Sequence, residues 1–150
     1  MAVGDLFWFD HATPIGSPDS SAFSSGDLIC LGLNTTAGVT NTTTQGWDSY
    51  TEASTGTVST GGYVSSGSSL DSWGDMWSYS GKVATFDTAT NPNYVQDVGH
   101  STSVTFAIGY NNTLAGAMTL FAVDLGDVDM TAGDLTITWN ASGIATVTST

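Results

Sequence analysis

The residues of this chain best suited to chemistry sit in "DSWGDMWSY" (71–79). Trp73, Trp77 and Tyr79 alternate there with Asp71, Asp75 and small side chains. Aromatic faces beside carboxylates can stack on sugars, so the stretch is one candidate for a glycan-binding surface. Large aromatic side chains also fill a core end or seal a contact with another chain, because they bury much area and keep a polar tip. We favour burial or a protein contact. A second aromatic group, Phe7, Trp8 and Phe9, lies near the N-terminus. Such a trio is costly to expose, and is read here as an anchor onto another surface.

"DLGDVDM" brings Asp124, Asp127 and Asp129 close together. Carboxylates on a loop suit Ca²⁺, which takes oxygen ligands, but the calcium-loop pattern of an EF-hand with its closing glutamate is absent. Solvated acids at a strand end are the favoured reading. Glycosidase chemistry needs a pair of carboxylates across a cleft, and sequence does not give their separation. His11 and His100 are the only histidines. Neither stands at zinc-ligand spacing from the other or from Cys30, and both read as surface or loop residues. The sequence has no Gly-x-Ser-x-Gly elbow of the kind that presents a nucleophilic serine. An enzyme is therefore not expected, and neither a metal nor a cofactor is.

Cys30 is the single cysteine, so no intrachain disulfide can form. It lies in the apolar run 28–33 and is expected to be a small buried hydrophobe. No basic segment followed by an apolar stretch opens the sequence, so no signal peptide is expected. No apolar run approaches the roughly 20 residues of a membrane helix. The Asn-x-Ser/Thr matches beginning at Asn34, Asn41, Asn111 and Asn140 are frequent by chance in a chain this rich in Ser and Thr.

Charge narrows the partners. Fourteen acids face one base, Lys82, for a net charge of −13. Nucleic acid is excluded as a partner, because phosphate contacts need Lys and Arg. An anionic membrane surface is excluded by the same repulsion. The acidity keeps copies apart in solution or matches a basic patch on a partner.

The elements that must position these residues are strands. Charged residues are only 10% of the 150, against about a quarter in ordinary domains. Ser, Thr, Asn and 18 glycines supply the polarity, and β-branched and hydroxyl side chains favour strands and turns. Residues 1–26 hold two prolines and many small polar residues and read as an extended N-terminal arm. Residues 27–150 read as one β-domain. Within it, "DLICLGLN" (27–34), "KVATFDTA" (82–89), "SVTFAIGYN" (103–111) and "AMTLFAVDLG" (117–126) read as strands, the last of them central. In "SVTFAIGYN", Val104, Phe106, Ile108 and Tyr110 fall on one face. Segments 35–50 and 57–70 are turn-rich, with Trp47 and Tyr50 as possible anchors of the first. A short helix is allowed only near 72–79 or 91–98.

The chain ends in "GDLTITWNASGIATVTST". Leu135, Ile137 and Trp139 alternate with threonines, a turn follows at 140–143, and a second Thr-rich strand closes the sequence. A terminal hairpin is expected, with those three side chains in the core. The whole predicts an all-β domain, a sandwich or barrel of about seven to nine mostly antiparallel strands. No repeat of fixed period is present, which argues against a solenoid.

Several stretches, in order, resemble small virion proteins encoded among the head and tail genes of tailed bacteriophages. They are "GGY" (61–63) followed by Leu70, "ATFDTA" (84–89), "FAIGYN" (106–111), "LFAVDLG" (120–126) and "GDLTITWNASGIATVT" (133–148). "DLICLGLNTTAGVTNTTTQGWDSY" (27–50) stands where such proteins carry a strand and then a loop. The resemblance spans roughly residues 27–148. It implies a non-enzymatic virion structural component on the capsid, without fixing its site on the virion; the leading expectation is a capsid decoration (cement) protein on the outside of the head, with no cofactor. The expected partners are the major capsid protein and neighbouring copies of the chain, in a homo-oligomer such as a trimer. Phe7, Trp8, Phe9, Trp73, Trp77 and Tyr79 are the candidate contacts. A lectin-like module on a virion or fibre is the alternative expectation.

Overall fold

The computed structural model describes residues 6–8, 24–35, 50, 58, 67–89, 91–113 and 118–148. Its elements are all strands: β1 Leu6–Trp8, β2 Leu28–Asn34, β3 Ser68–Ser72, β4 Trp77–Ser80, β5 Val83–Phe86, β6 Asn93–Tyr94, β7 Val104–Asn111, β8 Thr119–Val128, β9 Leu135–Thr136 and β10 Ala145–Thr148. Among the described residues there is no helix. The protein is all-β, as its composition dictates.

The largest sheet has the order β1-β8-β7-β2-β3, with every neighbour antiparallel. β1 and β3 end it, so it does not close into a barrel. A three-stranded sheet β10-β5-β4 and a two-stranded pair β6-β9 complete the fold.

β2 and β7 are the densest apolar segments, and they pair along almost their whole length, from Ile29 opposite Asn111 to Asn34 opposite Phe106. Register divides their side chains between the faces. Leu31, Leu33, Ala107 and Gly109 share one face, while Cys30, Gly32, Ile108 and Tyr110 share the other. All are buried, so this part of the sheet is covered on both sides. β8 is interior, between β7 and β1. On one face the Phe121 ring lies over Gly109, its cross-strand partner, in space that a Cβ would fill. On the other, the Tyr50 ring stacks on Tyr110 with centroids 4.1 Å apart and planes 3° from parallel. Tyr50 is thus the anchor that the turn-rich segment 35–50 needed; Trp47 lies outside the described residues.

β3 and β4 are consecutive but belong to different sheets, so the turn between them is a corner. β4 then returns along β5 through Gly81 and Lys82. Gly81 has φ 61°, and Lys82 does not share that positive φ. Such a two-residue turn matches the right-handed twist of its strands and calls for Gly at its first position.

Two expectations change. The terminal residues do not form a hairpin: β9 pairs with β6, and β10 pairs with β5. The turn itself is present, with the Gly143 N–H donating to the Asn140 carbonyl at 2.9 Å. It carries the chain from one sheet to another. Local alternation marks strands and turns, but the pairing partner is decided by which buried edge is nearer. The short helix allowed at 72–79 or 91–98 is replaced by the β3–β4 corner and by β6 with its following loop. Within the expected extended N-terminal arm, Leu6, Phe7 and Trp8 form a strand opposite Val123, Ala122 and Phe121 of the same chain.

Candidate functional site

The stretch 71–79 wraps the β3–β4 corner. Asp75 and Met76 donate their N–H groups to the Ser72 carbonyl at 2.9 and 3.2 Å, which tightens the turn. Trp73 and Gly74 donate theirs to the carbonyls of Asp27 and Ser25 at 2.7 and 2.9 Å, fixing the corner to the entry of β2. Met76 is fully buried beneath it. Asp71 accepts from the Thr88 hydroxyl at 3.1 Å and from the Ala89 N–H at 3.3 Å, holding the exit of β5. Asp71 is therefore a structural acceptor.

The aromatic side chains form a continuous series. Trp73 and Trp77 meet edge to face, 5.7 Å apart at 76°. Both lie against Phe86, at 5.7 and 5.0 Å. Phe86 meets Phe121 of the large sheet at 5.9 Å and 79°, and Phe121 meets Trp139 at 6.4 Å and 79°. Edge-to-face contacts of this kind contribute about 0.5–1.5 kcal/mol each beyond the area they bury. The series joins the two larger sheets. Trp73, Trp77 and Trp139 are half-buried at its ends.

Tyr79 differs. It lies on the same face of β4 as Trp77, two residues on, yet it is 76% exposed. Ser78 and Ser80 beside it are exposed as well. β4 pairs only with β5, and no other described strand pairs with its second edge. That edge carries no charge over Trp77–Ser80, and the chain's one Lys or Arg, Lys82, stands exposed at the adjoining turn. Of the sequence candidates, Trp73, Trp77 and Tyr79 are therefore brought together at one corner, with only Tyr79 fully presented. Phe7 and Trp8 lie on β1, at the opposite edge of the large sheet, and Phe9 lies outside the described residues.

The acidic cluster is a bulge. Val104 and Phe106 of β7 pair with Val128 and Asp124 of β8, leaving extra residues on the β8 side. Asp127 takes a φ of 73°, unusual for a non-glycine residue. Its carboxylate accepts from the Ser103 hydroxyl. Asp124 accepts the Gly126 N–H at 3.0 Å. Asp129 accepts from the Thr131 hydroxyl and N–H at 2.6 and 2.9 Å, which hold its carboxyl below the usual carboxylate range. Asp124 and Asp129 thus serve their own turns, while Asp127 ties the bulge to Ser103 before β7. Among the described residues no group of three His, Cys, Asp or Glu side chains is placed to hold a metal ion.

His100 lies in a loop, as expected, but is buried rather than on the surface; its Nδ1 accepts the Ser101 N–H at 3.0 Å. His11 lies outside the described residues. Cys30 is buried, and burial raises its thiol pKa. Two polar anchors had no sequence signal. Asp27 is buried and accepts from the Asn111 amide at 2.9 Å and from the Ser24 N–H at 3.0 Å. The Tyr94 hydroxyl donates to the Leu31 carbonyl at 2.7 Å inside the core.

Comparison with protein families, curated proteins and solved structures finds no match to this chain.

Proposed function

We propose that the chain is a phage virion structural protein, a capsid decoration protein that binds the outer surface of the head and stabilises it. The observation that carries this reading is the β4 edge: unpaired among the described residues, uncharged over Trp77–Ser80 and marked by an exposed tyrosine. Soluble monomers normally guard such an edge with lysines, prolines or bulges, because its free N–H and C=O groups invite another strand. Here Trp77–Ser80 itself carries no lysine, proline or bulge, on a chain whose net charge of −13 otherwise keeps its copies apart. An edge of that kind suits a contact with a partner of different charge. The sequence resemblance to phage virion proteins names that partner as the major capsid protein. Stabilisation is linkage: a protein that binds the assembled shell and not its loosened form favours the assembled shell. Many copies repeat a modest contact over the lattice, so the sum holds.

The glycan-binding reading gains less support. Trp73 and Trp77 stand at 76° to each other and pack on Phe86, so they do not make a flat platform on which a sugar could stack.

The test adds purified chain to phage heads assembled without it and measures occupancy by sedimentation. The expected result is saturable binding and heads that lose their DNA at a higher temperature. Occupancy no greater than that of an unrelated protein of equal negative charge would contradict the proposal.

A further inference from the structure

At the far end of the aromatic series, Trp139 forms one wall of a half-open groove of about 450 Å³. The groove lies between β8 and the segment that runs from β9 through the 140–143 turn. Leu125, Leu135, Ile137 and Ile144 are among its apolar lining, and Asp124 is the only ionisable side chain among its lining residues. Small-molecule sites are typically concavities of about 300–1,000 Å³, largely apolar, with a few polar groups that fix orientation. This groove has that size and composition.

We infer that the groove binds an apolar group carrying a single positive charge, an alkyl- or aryl-ammonium, with the apolar part between Ile137, Ile144 and Trp139 and the ammonium at Asp124. Charge selects this class. The lining holds a carboxylate and no cation, and the chain's net charge of −13 disfavours any anion. Apolar burial alone would accept a neutral ligand equally well, so the charge preference is the distinctive claim. A tryptophan face also attracts cations held over it. Asp124 keeps capacity for such a partner, since a carboxylate accepts several hydrogen bonds and the Gly126 N–H uses only one at Oδ1. The inference does not rest on the capsid reading. The same chemistry is offered by a free amine and by a lysine side chain flanked by apolar residues on a protein, and the experiment separates these sources.

The experiment records the Trp139 indole N–H signal by NMR, assigned through Trp139→Phe, while the intact chain is titrated with phenethylammonium, benzyl alcohol or phenylacetate. A further arm uses the peptide acetyl-Leu-Lys-Leu-amide. The expected result is a saturable shift with phenethylammonium, a weaker one with benzyl alcohol and none with phenylacetate. Asp124→Asn retains an acceptor for Gly126. It should weaken phenethylammonium binding by about two- to fivefold, the range of a solvent-accessible ion pair, and leave benzyl alcohol unchanged. Saturation by the peptide at lower concentration than phenethylammonium assigns the group to a protein partner; the reverse order assigns it to a free amine. Equal binding of the three small probes, or no shift with any of them or with the peptide, would overturn the inference. Those comparisons use the parent chain and do not depend on the variant folding.

Discussion

Phe86 is the side chain on which the two larger sheets meet, touching Trp73 and Trp77 on one side and Phe121 on the other. It is fully buried, so Phe86→Ala should cost about 3–5 kcal/mol in urea unfolding. Trp139 is half-buried at the end of the series, and Trp139→Ala should cost clearly less. The reverse order would mean that the core is centred on Trp139, as its alternation with Leu135 and Ile137 suggests from sequence. A second residue-scale prediction concerns pH. Burial raises the pKa of Tyr94 and Tyr110 well above the ordinary 10.0, and that of Cys30 above 9.0. Below about pH 8 these groups are essentially protonated in both states and contribute no pH dependence. As pH rises past 9 to 10, the unfolded chain releases protons that the folded chain keeps, so stability falls. Unfolding midpoints should be flat from about pH 7 to about pH 8 and drop by about pH 11. Tyr94→Phe, which also loses the bond to Leu31, should be less stable by about 0.5–1.5 kcal/mol at neutral pH and show a shallower alkaline slope. A slope unchanged by that substitution would remove Tyr94 from the account.

At the scale of elements, β4 is the strand that the capsid reading turns on. Tyr79→Lys places a charge on its exposed edge without touching the core. Stability should change by no more than about 0.5 kcal/mol, while occupancy on heads should fall sharply. Undiminished occupancy would move the contact elsewhere. Much of the element layout is legible from sequence. β2, β7 and β8 announce themselves as apolar runs bounded by turns, and their burial follows from composition. The corner at 73–76 is not legible, because Trp73, Gly74, Asp75 and Met76 lack both the alternation of a strand and the periodicity of a helix. Its shape comes from bonds to Ser25 and Asp27, some fifty residues away. The pairing of β9 and β10 is hidden for a related reason. Their alternation and the Asn140–Gly143 turn fit a hairpin, but Tyr94 of β6 and Phe86 of β5 offer each strand a buried neighbour that sequence distance conceals. Tyr79 was visible as an aromatic residue near Trp77; its exposure depends on where β4 runs past the edge of the core.

At the scale of the whole molecule, charge and edges act together. A net charge of −13 keeps free copies apart, so the chain should stay dispersed when it is not on a shell. If apolar and backbone contacts dominate, raising salt from about 50 mM to about 500 mM should leave occupancy unchanged or increase it, because screening relieves the repulsion between bound copies. A steep loss over that range would make the acidic surface the binding determinant instead. The most direct measurement is a reconstruction of phage heads to which the purified chain has been added. The account predicts density of its size on the outer surface, with the β4 edge and Tyr79 turned toward the capsid protein. Heads that remain bare at saturating protein, or density bound through a surface remote from β4, would contradict it.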